Sequence, residues 1–291
     1  MRLAEALLSA VMVAGLYATM SYGLALIYGV MKLINLANAG IMTLGAYLTL
    51  FIWQATGLDP MLTVLIVGPV FFVVGAVIEM TMVRRVAGQA PVISLLLLFG
   101  LLLVTQAAVS LAFGGDVRAV RPPYALEVVH LGDIVIGLNR LFVFSAGLII
   151  LVGLELFLRR TFLGRAVRAL AQDRDACRLV GIDVQRVSRI AFGLGTALAA
   201  SAGSLLTLVF PFDPSTPFTL LQLKSFTIIV LGGLESIVGV AFASFLLALA
   251  ENLTVTLSKP QLENLVSFIL LVVVLVVMPG GLASLIRRRL S

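Results

Sequence analysis

The sequence predicts an all-α fold, a polytopic transmembrane helical bundle of eight or nine spans, on three observations. Hydrophobic residues fill 61% of the 291 positions and charged residues 12%, against about half and about a quarter in soluble domains. Apolar runs recur at lengths near the ~20 residues that a helix needs to cross ~30 Å of hydrocarbon. Basic residues gather in the short segments between those runs.

The runs lie near 7–29, 39–56, 61–83, 91–113, 141–158, 190–210, 218–233, 238–257 and 261–281. Lipid offers no hydrogen-bond partners, so a spanning segment is a helix or part of a closed barrel, and runs this long without alternation exclude the barrel. Two runs are short. The run 39–56 opens in the polar "NLANAG", and 218–233 stops at Gly232 and Gly233, so each reads either as a span or as a broken or re-entrant helix. No linker or low-complexity segment divides the chain, and one transmembrane domain over 1–291 is expected. The first run continues past the 7–15 residues of a signal-peptide core, which favours a retained helix.

The net charge of +6 and pI near 10.0 do not require nucleic acid, because the positive-inside rule accounts for them. With nine spans and residues 159–189 inside, the interior holds Lys32, Arg84, Arg85, eight arginines of that segment, and Arg287, Arg288 and Arg289. Arg2, Arg118, Arg121, Arg140, Lys224 and Lys259 stay outside. The bias predicts an outer N-terminus and a cytoplasmic C-terminus. A single cysteine, Cys177, and a single histidine, His130, leave no disulfide and no His/Cys metal cluster to expect. Nothing matches GxxxxGK[ST], since "LGGLESIVG" lacks the lysine, so no nucleotide site or other cofactor is expected in this chain.

The most charged stretch, "TFLGRAVRALAQDRDACRLVGIDVQRVSR" (161–189), breaks into legible pieces. Arg165 and Arg168 recur at helical spacing beside small Gly164, Ala166 and Ala169, predicting a first helix whose small face packs closely. Asp175 is expected to cap a two-turn helix, "ACRLV", that Gly181 ends in the left-handed conformation. Asp183 is placed to cap the helix leading into the next span. Leu179 and Val180, beside Arg178, are too small a body for a core of their own and suit a partner's groove. A solvated positive-inside loop is the plainer alternative.

This stretch resembles the cytoplasmic coupling loop of ABC-importer permeases of the branched-chain amino acid type, through Thr161, Gly164, Arg165, Arg168, Ala169, Ala176, Gly181 and Ile182. "GLALIYGVMKLINLANAGIMTLGAY" (23–47) and "LKSFTIIVLGGLESIVGVAFASFLLALAEN" (223–252) extend the resemblance over most of the chain. The length is similar to the shorter, LivH-like subunit. Asn38, Ala39 and Gly40 depart from the His-Gly-Glu of many members, as do Glu235, Val238 and Met278 from a glycine, a proline and an arginine. The resemblance implies a non-enzymatic permease subunit in a bacterial inner membrane. Its implied partners are a second related permease, two ATP-binding subunits that supply the energy, and an extracytoplasmic substrate-binding protein. The implied solutes are branched-chain or other hydrophobic amino acids, with urea, short amides or other amino acids as the alternative within the family. A self-sufficient secondary transporter is the rival from another class, and it predicts deep coupling charges.

Charges deep in a membrane cost roughly 2.5 to 3.5 kcal/mol, so depth ranks the remaining candidates. Glu155 pairs at i,i+4 with Arg159, and Glu79 reads as interfacial beside Arg84 and Arg85. Glu251, near the outer end of its run, lines a vestibule or packs against a helix. Asn35 and Asn38 suit a helix break bordering a pathway. Gly232, Gly233 and Glu235 allow either tight packing or a break facing a cavity. Ser204 and Thr207 face a pathway or serve as ordinary interhelical contacts. The stiff "PFDPSTPF" (211–218) is expected outside, where it suits docking of a binding protein or simply connects spans.

Overall fold

The computed structural model describes residues 2–131, 134–214, 217–233, 236–257 and 260–277. Helix α1 (Arg2–Met31) is followed by α2 (Asn38–Thr56), and α3 (Pro60–Ile78) continues through a π-helical turn (Glu79–Val83) into α4 (Arg84–Val86). Helix α5 (Pro91–Phe113) leads to a hairpin of β1 (Val128–Leu131) and β2 (Ile134–Gly137), antiparallel with Val129 opposite Ile136. Then come α6 (Leu138–Arg160), α7 (Phe162–Gln172), α8 (Arg174–Leu179), α9 (Val184–Leu206), α10 (Pro217–Gly232), α11 (Ile237–Leu257) and α12 (Glu263–Val277). The hairpin is the one departure from an all-α fold among the described residues.

Seven of the described helices are long and apolar enough to span a bilayer, while α10 and α12 are shorter. The eight or nine expected spans thus become seven of full length and two short ones. The run 39–56 is an unbroken helix, and the break falls ahead of it, at 32–37. The run 218–233 is short, as expected: α10 has 16 residues, about 24 Å at 1.5 Å per residue, and Gly233 beyond it has φ of 93°. A side chain at Gly232 would meet the Gly239 backbone at 2.6 Å, so the start of α11 crosses close to the end of α10.

Composition sorts the helices into centre and periphery. In α1 and α9, 78% and 72% of the most apolar stretch is buried, against 22% in α3, α5 and α6. The central pair carries glycine, alanine and hydroxyl residues, while the peripheral helices are almost wholly aliphatic and present those side chains outward. Without a hydrophobic force between helices in lipid, close backbone approach is the main source of attraction, and small residues permit it. Gly23 lies against the carbonyl of Gly195, and Gly203 against that of Met42, each too close for a Cβ.

One end of the bundle carries α7 and α8 with Met31 and Arg84, which line a common cleft with Arg174 and Arg178. The opposite end is knitted by the hairpin segment. Arg118 and Phe212 exchange backbone hydrogen bonds of 2.7 and 2.9 Å, and Asn139 donates to the Leu208 carbonyl at 2.9 Å. Asp59 caps α3 and accepts from the Tyr124 hydroxyl at 2.7 Å; burial and that bond hold the phenol above its usual range, so it remains a donor. Phe212 is fully buried beside Tyr47, so it anchors the described start of "PFDPSTPF" in the core, and Pro217 opens α10.

Candidate functional site

The charged insert is folded. Thr161 caps α7 by accepting from Gly164 N at 2.9 Å, and Gly164 sits so close to the Phe157 carbonyl that a Cβ would not fit. Gly164, Ala166, Val167 and Leu170 are buried, whereas Arg165 and Arg168 point outward. Asp173, not Asp175, is the N-cap of α8: its carboxylate accepts from Asp175 N and Ala176 N, both at 2.9 Å. The shift of two residues lengthens the helix and places Asp175 in its first turn, where a negative charge complements the dipole and reaches Arg178 at 3.1 Å. Gly181 ends α8 with φ of 79°, as expected. Its N–H bonds the Arg178 carbonyl and that of Ile182 the Cys177 carbonyl, the two bonds of a Schellman motif. Asp183 caps α9 as expected.

This geometry leaves Leu179 and Val180 89% and 74% exposed at the tip, with Arg178 beside them and Cys177 buried beneath. Phe162, 74% exposed at the start of α7, is a further apolar residue that the sequence reading passed over. An aromatic next to the Thr161 cap was the available signal.

The second region is the break between α1 and α2. Helix α1 stops at Met31, and Lys32 takes a φ of 54°. The chain then runs back without helix to Asn38, so that α2 starts inside the bundle, with Gly40 against Leu102 and Thr105 of α5 and Met42 against Gly203 near the far end of α9. Asn35 and Asn38 are fully buried. Gln222 of α10 joins them, its Nε2 donating to the Asn35 carbonyl at 3.1 Å. The two asparagines were expected at a break; Gln222 was missed, because pairing across 187 residues leaves no local pattern.

Ser204 sits in a hydroxyl triad with Thr49 at 2.7 Å and Thr63 at 3.2 Å, joining α9, α2 and α3. Thr207 donates to the Ser204 carbonyl at 2.7 Å. Gly232 and Gly233 lie at the end of α10, and Glu235 lies outside the described residues.

Buried charges are present in the bundle. Lys224, counted from the sequence among outer residues, is only 6% exposed on α10. Its ammonium donates to the Tyr17 hydroxyl at 2.9 Å, Glu251 Oε2 at 3.1 Å and Glu263 Oε1 at 2.7 Å. Tyr17 donates to Glu251 Oε2 at 2.6 Å, and Ser267 donates to Glu251 Oε1. Glu251 therefore packs against helices. The network uses all three ammonium protons and both oxygens of Glu251, so it clamps α1, α10, α11 and α12 and leaves neither the ammonium nor Glu251 free for a ligand. A lysine and a glutamate in neighbouring short apolar runs were the signal that pointed to it. Glu79 is 2% exposed on the π-helical turn, faces Arg189 of α9 at 3.8 Å, and with Arg84 lines the cleft at the α7 and α8 end. The Glu155 and Arg159 pair forms as expected.

Against known proteins, residues 6–275 match the family model described as branched-chain amino acid transport system, permease component. The chain is 31% identical over 285 residues to the high-affinity branched-chain amino acid transport system permease protein LivH of Escherichia coli, covering 91% of this chain and 90% of that one. It is 29% identical over 291 residues to BraD of Pseudomonas aeruginosa, described as a permease protein of the same kind of system, covering 96% and 94%. LivM of Escherichia coli, a permease protein of the same high-affinity branched-chain amino acid transport system, is 33% identical over 149 residues, 49% of this chain and 34% of its own. No solved structure matches. On the family match, which runs through nearly every described helix, the chain belongs to the permease component family of branched-chain amino acid transport systems.

Proposed function

We propose that this chain is the membrane-spanning permease subunit of an ATP-driven importer in a bacterial inner membrane. On this reading it carries branched-chain or other hydrophobic amino acids delivered by an extracytoplasmic binding protein. It works beside a second, related permease, consistent with its partial likeness to LivM as well as LivH. Two ATP-binding subunits dock on the α7 and α8 end, which is cytoplasmic along with the C-terminus.

The observation that carries the reading is the exposed pair Leu179 and Val180 on a helix stopped at both ends and backed by α7. Fully burying one such side chain is worth about 1.5 to 3 kcal/mol, a reason for a partner's apolar groove to receive them. Arg178 beside the tip, with Arg165 and Arg168 exposed on α7, suits carboxylates at that groove's rim. Replacing Leu179 with Asp puts a charge where apolar surface is to be buried, at a cost of several kcal/mol unless it is paired. Since Leu179 touches solvent, the variant is expected to insert, fold and pair with the second permease normally. It should then lose copurification of the ATPase subunits or the coupling of hydrolysis to leucine uptake. Wild-type assembly and transport by Leu179→Asp would reduce the insert to a positive-inside loop.

A further inference from the structure

A zwitterion crossing this subunit, on the importer reading above, needs polar groups not already committed to the protein. Many buried ones are committed: Thr19 and Thr43 bond their own helices, the hydroxyl triad closes on itself, and the Lys224 ammonium and Glu251 are fully engaged. Among the described residues the other unpartnered buried hydroxyls are single groups, Ser21 and Tyr22 on α1, Tyr47 on α2 and Ser188 on α9. At the α1 to α2 break unpartnered atoms concentrate. Asn35 Oδ1 and Nδ2, Asn38 Oδ1 and Gln222 Oε1 are all buried without a protein hydrogen-bond partner, and Asn38 Nδ2 has only the Met42 sulfur at 3.7 Å.

Each such atom, buried without a protein partner, costs free energy and is an available hydrogen-bonding group for a solute. Helix α2 begins at Asn38 with no side-chain cap; the Asn38 N–H bonds the Asn35 carbonyl at 3.4 Å, and the next N–H groups, of Ala39 and Gly40, with the dipole favour an anionic group at this place. Interrupted helices that aim an N-terminus at a carboxylate are a recurring way to hold solutes at mid-membrane. Carboxamides supply donors and acceptors without net charge, matching a carboxylate and an ammonium together while holding neither tightly.

We propose that the unwound segment 32–37, the first turn of α2 and Gln222 of α10 form the contact site for the α-carboxylate and α-ammonium of the transported amino acid. The carboxylate is met by the α2 N-terminus with the amide nitrogens of Asn35 and Asn38. The ammonium is met by the freed carboxamide oxygens, Gln222 Oε1 among them. Asn35 and Asn38 are fully buried and Gln222 5% exposed, so this conformation is closed. The side-chain bond from Gln222 to the Asn35 carbonyl joins α10 to the break, and parting it opens the site. Lys224, two residues on, keeps α10 in place through the clamp and acts as a positioning residue. Because the site reads only the common backbone end, it serves every side chain the binding protein delivers.

The test uses Asn35→Leu and Asn38→Leu, which keep volume and delete unpartnered amide atoms while leaving the Gln222 bond to the Asn35 carbonyl in place. Each is assembled into the complete importer in proteoliposomes, with leucine uptake and ATPase rate measured, and the melting temperature of the purified subunit recorded alongside. Expected are a melting temperature equal to or above wild type, intact ATPase stimulation by the loaded binding protein, and leucine uptake lower by about tenfold or more, the loss that follows a missing bond to a charged group. Uptake within about twofold of wild type would overturn the assignment. So would uptake and melting temperature falling together, which marks the amides as structural. A wild-type complex that moves no leucine would refute the importer reading itself, not this site.

Discussion

Replacing Lys224 with Met strips the cation from a buried cluster that keeps two carboxylates. Lys224 lies 3.1 Å from Glu251, whose side chain is 3% exposed, and 2.7 Å from Glu263, whose side chain is 39% exposed. At 3.1 Å and an effective dielectric constant of about 20, the attraction to Glu251 is about 5 kcal/mol before desolvation is subtracted. Glu263 contributes less, because water reaches it and screens the pair. Deleting one partner of a buried pair costs about 3 to 5 kcal/mol, since the other charge stays buried and uncompensated. Glu251→Gln should cost less: Tyr17 and Ser267 remain as donors, and Lys224 keeps Glu263. The double variant Lys224→Met with Glu251→Gln should recover most of the loss of Lys224→Met, because no buried charge is left alone. Thermal unfolding of the purified subunit in detergent, followed by the loss of monodisperse protein, gives all three values. Unfolding temperatures for Lys224→Met and the double variant that agree, or a Lys224→Met protein as stable as wild type, would refute the clamp.

Two further outcomes follow from local geometry. Asp173→Ala removes a cap that holds two N–H groups and should cost α8 about 0.5 to 2 kcal/mol, whereas Asp175→Ala breaks an exposed pair worth at most about 1 kcal/mol. Hydrogen exchange of the α8 amides should accelerate more in the first variant, and equal rates would contradict the cap assignment. Gly203→Val drives a side chain into the Met42 carbonyl and should destabilise by about 1 to 3 kcal/mol or more, while Gly153→Ala, with open space around it, should be neutral or stabilising by about 0.5 to 1 kcal/mol. Melting temperatures of the two variants that shift alike would argue against the α2 to α9 contact.

What the sequence determined by itself follows from interactions short along the chain. Hydrocarbon demands about 20 apolar residues and an internally bonded backbone, so the long helices were legible from composition alone. The stop at Gly181, the cap at Asp183, the outward Arg165 and Arg168, and the early end of α10 at Gly232 depend on one to four neighbouring residues. The cap of α8 lay at the edge of that range: two aspartates stood two residues apart, and the choice of Asp173 depended on how much helix each would leave before Gly181. Tertiary structure alone decided the rest. Lys224 looked like an outer loop cation until Tyr17, Glu251, Glu263 and Ser267, from three other helices, closed around it. That Glu79 would meet Arg189 was decided by where α9 packs. Ser204 and Asn35, equally polar in the sequence, were separated only by packing, which bonded the first to Thr49 and Thr63 and left the second's carboxamide without a partner. In a membrane a polar side chain is costly wherever it sits, and its sequence neighbours do not reveal whether another helix satisfies it; only the distances between helices do.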